Sequence, residues 1–96
     1  MKLLHLTHRF EFTDRIDDLL QQHDIVRFVR YPMVQGRDRD GRHNGTKVFP
    51  GSLTVVQAHV PDDRAEALAE ALRKFREQKE AHRHVEGLFL VVEGEL

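Results

Sequence analysis

The hydrophobic pattern of the chain changes repeatedly between the two-residue period of a strand and the longer period of a helix. Residues Lys2–Phe10 alternate and predict a first strand. The β-branched and aromatic segment Ile25–Tyr31, which stops at Pro32, predicts a second strand. Leu53–Val60 alternates again and predicts a third strand. The apolar run Val85–Val92 predicts a fourth strand that lies centrally in the sheet and is covered on both faces.

Two segments between these strands have helical periodicity. The first helix is predicted to begin at Thr13, whose hydroxyl is expected to accept hydrogen bonds from the first free amides. Its apolar stripe has i, i+3, i+4, i+7 spacing and consists of Ile16, Leu19, Leu20 and His23. The second helix is predicted over Asp63–Glu80, with interleaved charges on its solvent face. Its apolar face consists of Ala65, Leu68, Ala69, Leu72 and Phe75.

The resulting order β-α-β-β-α-β predicts the α+β, ferredoxin-like fold, in which two helices cover one face of a four-stranded antiparallel sheet. Residues 1–96 are expected to form a single domain. The second face of this sheet is predicted to be apolar, and its residues are Leu3, Val29, Tyr31, Leu53, Val55, Val85, Phe89 and Val91. No further element is left to cover that face, so we expect a homo-oligomer.

Composition narrows the functional classes. The chain has 96 residues, 15 basic and 16 acidic side chains and a net charge of -1, which gives no general attraction to nucleic acid. Cysteine is absent, which excludes a disulfide framework, a thiolate metal site and a cysteine nucleophile. No apolar run approaches the roughly 20 residues of a membrane span, so we expect a bacterial cytoplasmic protein without direct membrane insertion.

The long segment Gln35–Ser52 between the second and third strands is predicted to be an exposed loop with extended ends. It carries four basic residues against two acidic ones, and its glycines are Gly36, Gly41, Gly45 and Gly51. The basic residues are Arg37, Arg39, Arg42 and Lys47. Glycine amides and guanidinium groups together suit an anionic ligand. The alternative is a solvated hairpin tip whose Arg and Asp residues compensate each other.

Several segments of this chain match a known pattern. They are the opening Met1-Lys2-Leu3-Leu4, the helix start Thr13-Asp14-Arg15-Ile16, the loop start Gln35-Gly36-Arg37 and the loop end Gly45-Thr46-Lys47-Val48-Phe49-Pro50-Gly51. With the element order, they make the chain resemble the trimeric PII-like signalling proteins, in particular the small divergent members. The resemblance covers nearly the whole chain.

The resemblance implies a regulatory function. In that family the long loop is the T-loop, which changes shape with an effector bound in clefts between subunits and then touches a target protein or membrane transporter. The effector is often an adenine nucleotide, and in divergent members another small anion or a metal. By this resemblance Gly36, Arg37 and Lys47 are expected near the effector, and Arg39, Arg42 and His43 near the target.

After the second helix, typical members carry a glycine-rich phosphate-binding turn with a lysine, whereas this chain has a His82-Arg83-His84 segment. Arg83 and His84, together with His82, are candidates for cationic contacts with the effector. Basic side chains at a helix end also interact favourably with its negative pole, which is the alternative interpretation.

A second hypothesis is a CutA-like metal-binding trimer. His5 and His59 are predicted on neighbouring strands and on the same, non-helical face, where two imidazoles and a third ligand would hold zinc or copper. Packing histidines in a subunit interface are the alternative. His8, His23 and His43 are expected at the surface or at an edge. A small ferredoxin-like enzyme is a third hypothesis, but no nucleophile motif or carboxylate pair supports catalysis.

Overall fold

A computed structural model describes residues 1–38, 41–43 and 53–94 of the chain. The strands are β1 (Lys2–Arg9), β2 (Phe28–Val34), β3 (Gly36–Asp38), β4 (Gly41–His43), β5 (Leu53–Val60) and β6 (Glu86–Val91). The helices are α1 (Thr13–Gln22) and α2 (Asp62–Gln78), and two 3-10 turns span Phe10–Phe12 and Glu80–His84. No helix in the described part of the chain is long and apolar enough to cross a membrane.

Four antiparallel strands form the main sheet in the order β2-β5-β1-β6, which confirms the ferredoxin-like fold. Alternation places Leu4 and Leu6 of β1 and Val56 and Ala58 of β5 on one face, where all four are fully buried. The two helices cover this face through apolar residues that are buried in the same core. These helical residues are Ile16, Leu20, Ala65, Leu68, Leu72 and Phe75.

The start of α1 differs from the prediction. Thr13 is the first helical residue rather than the cap, and its hydroxyl donates to the Phe10 carbonyl at 2.6 Å. The 3-10 turn Phe10–Phe12 therefore ends β1 one residue early and leads directly into the helix. The predicted stripe is otherwise confirmed, because Ile16 and Leu20 are buried and Leu19 packs against the core.

The second strand lies three residues further along the chain than the sequence predicts. Ile25 is buried in the core before the strand begins, and β2 runs through Pro32 to Val34. Pro32 is tolerated because β2 is an edge strand and its pairing with β5 shifts between Tyr31 and Val34. At this bulge Met33 has a φ of 54°, in the left-handed region that side chains other than glycine rarely adopt.

The last strand corrects a second expectation. β6 is an edge strand rather than a central one, and it pairs only with β1 in the described sheet. Phe89 faces the helices opposite Leu4, while Leu88 and Leu90 lie on the open face at 64% and 51% exposure. The predicted phase was therefore wrong by one residue. An uninterrupted apolar run has no alternation to set that phase, so pairing with β1 decides it.

The open face is nevertheless apolar, as predicted, although its membership differs. Val85 is buried in the core, and Phe89 and Val91 share the helical side of the sheet. The apolar residues on the open face are Leu3, Val29, Tyr31, Leu53, Val55, Leu88 and Leu90. In the single chain Val29, Tyr31, Leu88 and Leu90 are between 46% and 64% exposed.

Candidate functional site

The long loop starts and ends beside Leu53, the first residue of β5. Val34 pairs with Leu53, and a Cβ added at Gly36 would lie 2.8 Å from the Leu53 Cδ1 atom. Since Leu53 is itself buried, glycine at position 36 permits this close approach. We call the pairs that close the loop, His8 with Thr54, Arg9 with Leu53 and Val34 with Leu53, the loop root.

Beyond the loop root the chain forms a short hairpin that the sequence predicted only as extended ends. β3 pairs with β4 so that Gly36 lies opposite His43 and Arg37 lies opposite Arg42. The structure thus brings two of the predicted effector and target residues together in one hairpin. Arg39 and Lys47 lie outside the described residues.

The basic segment after α2 divides between core and surface. His82 is 1% exposed, and its ring stacks on Phe75 with centroids 4.0 Å apart and meets Phe12 edge-on. Its Nδ1 lies 2.7 Å from the Phe75 carbonyl, which can only accept, so Nδ1 carries the proton. The Nε2 lone pair then accepts from Arg15 at 3.3 Å. His82 therefore closes the end of α2, as the helix-end interpretation predicts.

The other two residues of that segment have different surroundings. Arg83 is exposed and donates to the Glu80 carboxylate at 2.6 Å, whereas His84 is 5% exposed. Both precede β6, whose first residues pair with the loop-root end of β1. The predicted effector residues therefore share one end of the sheet. They lie at opposite edges, with Gly36 and Arg37 beyond β2 and Arg83 and His84 before β6.

The two candidate metal ligands also share a face. Leu3 pairs with His59 and His5 pairs with Gln57, so His5 and His59 are diagonal neighbours on the open face, as predicted. Within residues 1–38, 41–43 and 53–94, however, no group of three or more His, Cys, Asp or Glu side chains is arranged to hold a metal ion.

Sequence reasoning missed a basic cavity at the far end of the sheet. Arg27 accepts a hydrogen bond from the His59 amide through its carbonyl oxygen at 2.9 Å, which brings the two residues side by side. Together with Leu3 they line two adjoining cavities of about 350 Å³ and 300 Å³. Phe28, Val29 and Gln57 complete the larger cavity's wall on β2 and β5, together with Val26. The only signal in the sequence is an arginine that interrupts the run Ile25-Val26-Arg27-Phe28-Val29.

Sequence reasoning also misplaced His8, which is fully buried on the helical face rather than at the surface. Its Nδ1 lies 2.7 Å from the Arg9 carbonyl, so Nδ1 carries the proton and donates. Burial lowers the pKa of His8 below 6.5, and the nearby Arg30 guanidinium lowers it further, while the Arg9 hydrogen bond and Asp17 oppose the shift. His8 is thus neutral near pH 7.

The fold of this chain matches solved PII-like structures. CPII, a nitrogen regulatory PII-like protein from Thiomonas intermedia K12 bound to ADP, AMP and bicarbonate, superposes with a TM-score of 0.75 over 93% of this chain and 88% of CPII, at 17% identity. The chain has the PII-like fold. The apo form of CPII gives a TM-score of 0.63 at 19% identity over 92% of this chain and 84% of CPII.

A Thermus thermophilus protein designated PII-like in signalling matches with a TM-score of 0.57 at 16% identity, over 94% of this chain and 88% of that one. No protein-family model and no curated protein sequence matches the chain. The expected resemblance is therefore confirmed by three-dimensional structure, at sequence identities too low for the sequences to show it.

Proposed function

We propose that this PII-like chain is a regulatory protein that binds a small anionic effector, an adenine nucleotide or a related anion, in clefts between the subunits of a homotrimer. The observation that carries the proposal is the match of nearly the whole chain to CPII structures that hold ADP, AMP and bicarbonate. The absence of a nucleophile motif favours binding over catalysis as the function.

The positions of the predicted effector residues support a cleft between subunits. β2 and β6 are separated by two intervening strands, so the Gly36–Arg37 edge and the Arg83–His84 edge of one sheet are about 14 Å apart at ordinary strand spacing. A small ligand cannot bridge that separation within one chain. It can contact both sets where the β2 edge of one subunit meets the β6 edge of the next.

The open face supports the trimer. Leu88 and Leu90 on β6 and Val29 and Tyr31 on β2 are about half exposed, and they extend the apolar surface to both edges of the sheet. Monomers rarely expose contiguous apolar surface of this kind, and a second copy of the same face is the simplest cover. Three sheets packed through their open faces would bury all of these residues.

Effector binding is tested by isothermal titration calorimetry with ATP, ADP, AMP, cyclic AMP and bicarbonate, each alone and with bicarbonate added to each nucleotide. We expect saturable heat with at least one adenine nucleotide. Replacement of Arg37 or Arg83 with alanine should weaken its binding about tenfold or more, the usual effect of removing one charge-assisted hydrogen bond to phosphate. No heat with any of these compounds would contradict the proposal.

Matched variants locate the ligand. Arg73→Ala, on the solvent face of α2, is the control, because Arg73 contacts only Glu66 and Glu70 among the described residues. Arg27→Ala tests the cavity beside His59. A loss of affinity in Arg27→Ala with none in Arg37→Ala would move the effector to the far end of the sheet.

We also propose that the loop Gln35–Ser52 contacts a target protein, with Arg39, Arg42 and His43 at the contact. The cationic loop on a chain of net charge -1 supports this role, because it concentrates positive charge in one segment. Deletion of residues 38–50 should leave effector binding measurable while abolishing capture of the target. Capture that persists after the deletion would refute this role.

A further inference from the structure

Several buried polar groups meet beneath the loop root. His8 on β1 and Thr54 on β5 face each other across the ladder, and both are fully buried. Arg30 on β2 lies diagonal to Thr54 on the same helical face, opposite Val56. The His8 Nε2, Thr54 Oγ1 and Arg30 Nε atoms are buried and have no hydrogen-bond partner among the described residues. Such atoms weaken the structure that contains them.

The charged groups around His8 leave no room for a second positive charge. Arg30 from β2 forms an ion pair with Asp17 from α1, so the nearest carboxylate is already neutralised. β5 contributes the uncharged Thr54, and Arg9 points to the opposite face of the sheet. A proton added to His8 at Nε2 would therefore place an imidazolium beside a guanidinium, with no acceptor to receive the new N–H.

The backbone at the same end of the sheet is irregular. The pairing of β2 with β5 shifts at the Tyr31 to Val34 bulge, and Met33 holds a left-handed backbone conformation. On the other side of β5, the His8 and Arg9 pairs are the last of the β1–β5 ladder. Because the ladder ends here, a small loss of free energy acts first on these pairs and not on the sheet centre.

We propose that the loop root is a proton-sensitive hinge in which protonation of His8 weakens its pairing with Thr54 and loosens the point where the loop rejoins the sheet. The protonated state carries two cations on one carboxylate and an unsatisfied N–H, whereas the neutral state carries neither. The device works within one subunit and does not depend on the proposed effector. The low pKa of buried His8 agrees with it.

NMR spectroscopy of the full chain tests the hinge. The His8 ring is titrated from pH 8 to pH 4.5, and amide protection, corrected for intrinsic exchange, is measured at residues 53–56 and at residues 57–60. We expect His8 to titrate below pH 6.5 and protection at residues 53–56 to fall several-fold with the same midpoint. Protection at residues 57–60 should change much less.

His8→Gln provides the matched variant, because glutamine keeps a donor for the Arg9 carbonyl and has no charge to gain. It should abolish the pH dependence at residues 53–56, whereas His5→Gln, on the open face of the same strand, should preserve it. An ordinary His8 midpoint would overturn the hinge, as would unchanged protection at residues 53–56 through the titration. The wild-type titration decides the matter even where His8→Gln fails to fold.

Discussion

His8 and Thr54 lie directly opposite each other in the β1–β5 ladder, both fully buried, and each retains a polar atom that no described residue satisfies. Most buried polar atoms in proteins have a partner, so two on facing residues mark a weak position. This position is where the long loop rejoins the sheet. The stability of the sheet there should therefore depend on the protonation of one imidazole.

The first prediction concerns the pH dependence of stability. Because the His8 pKa is lowered in the folded state, the unfolded chain binds more protons between the two pKa values, and the free energy of unfolding rises with pH in that window. The stabilisation is complete above about pH 6.5 and is lost as the pH falls below it. One group contributes at most about 1.4 kcal/mol per pH unit. Urea denaturation at several pH values checks this, and His8→Gln should have the shallower slope.

A second prediction concerns Arg30, whose charge lowers the His8 pKa while Asp17 raises it. Arg30→Gln removes the cation and leaves the carboxylate unpaired, so the His8 pKa should rise toward or beyond its ordinary value. NMR titration of the His8 ring measures the change. A His8 pKa that stays the same or falls in this variant would contradict the assigned cause. Arg27→Gln, at the far end of the sheet, is the control.

The third prediction concerns His82, which stacks on Phe75 and donates to its carbonyl. His82→Ala should lower the free energy of unfolding by about 3 kcal/mol, because it removes a buried ring and leaves the end of α2 without its donor. His82→Phe keeps the stacked ring and loses only the donor, so its cost should be about 1 kcal/mol. Equal losses in the two variants, measured by urea denaturation, would show that stacking contributes nothing.

The fourth prediction concerns Gly36. Gly36→Ala places a methyl group 2.8 Å from the Leu53 Cδ1 atom, so the loop root must shift, at a cost of about 1 to 2 kcal/mol. Leu53→Val shortens the opposing side chain, and the double variant should be more stable than the sum of the single changes predicts. Strict additivity in a double-mutant cycle would mean that the two residues do not meet.

The last prediction concerns the open face. Leu88→Glu and Leu90→Glu should each dissociate the proposed trimer, because a buried, unpaired carboxylate is costly at an apolar interface. Light scattering of the eluted protein gives the mass directly. Ala67→Glu adds the same charge on the exposed side of α2 and should leave the mass unchanged. A wild-type chain that is a stable monomer at micromolar concentration would remove the basis for a site between subunits.

The sequence alone predicted the type and order of the main elements, because helix and strand periodicities are local. The apolar face of α2 is the clearest case, since Leu68, Leu72 and Phe75 lie at helical spacing and all enter the core. The candidate loop residues could be named from their charge and glycine content. Their distribution between two edges of the sheet could not, because it depends on strand order.

Tertiary structure decided what local pattern leaves open. Pairing with β1 turned Leu88 and Leu90, not Phe89, toward the open face, and an edge position with a bulge allowed β2 to continue through Pro32. His8 has the polarity of a surface residue, yet alternation along β1 places it beneath the helices. Periodicity is a property of neighbours along the chain, whereas register, strand order and burial arise from contacts between segments far apart in sequence.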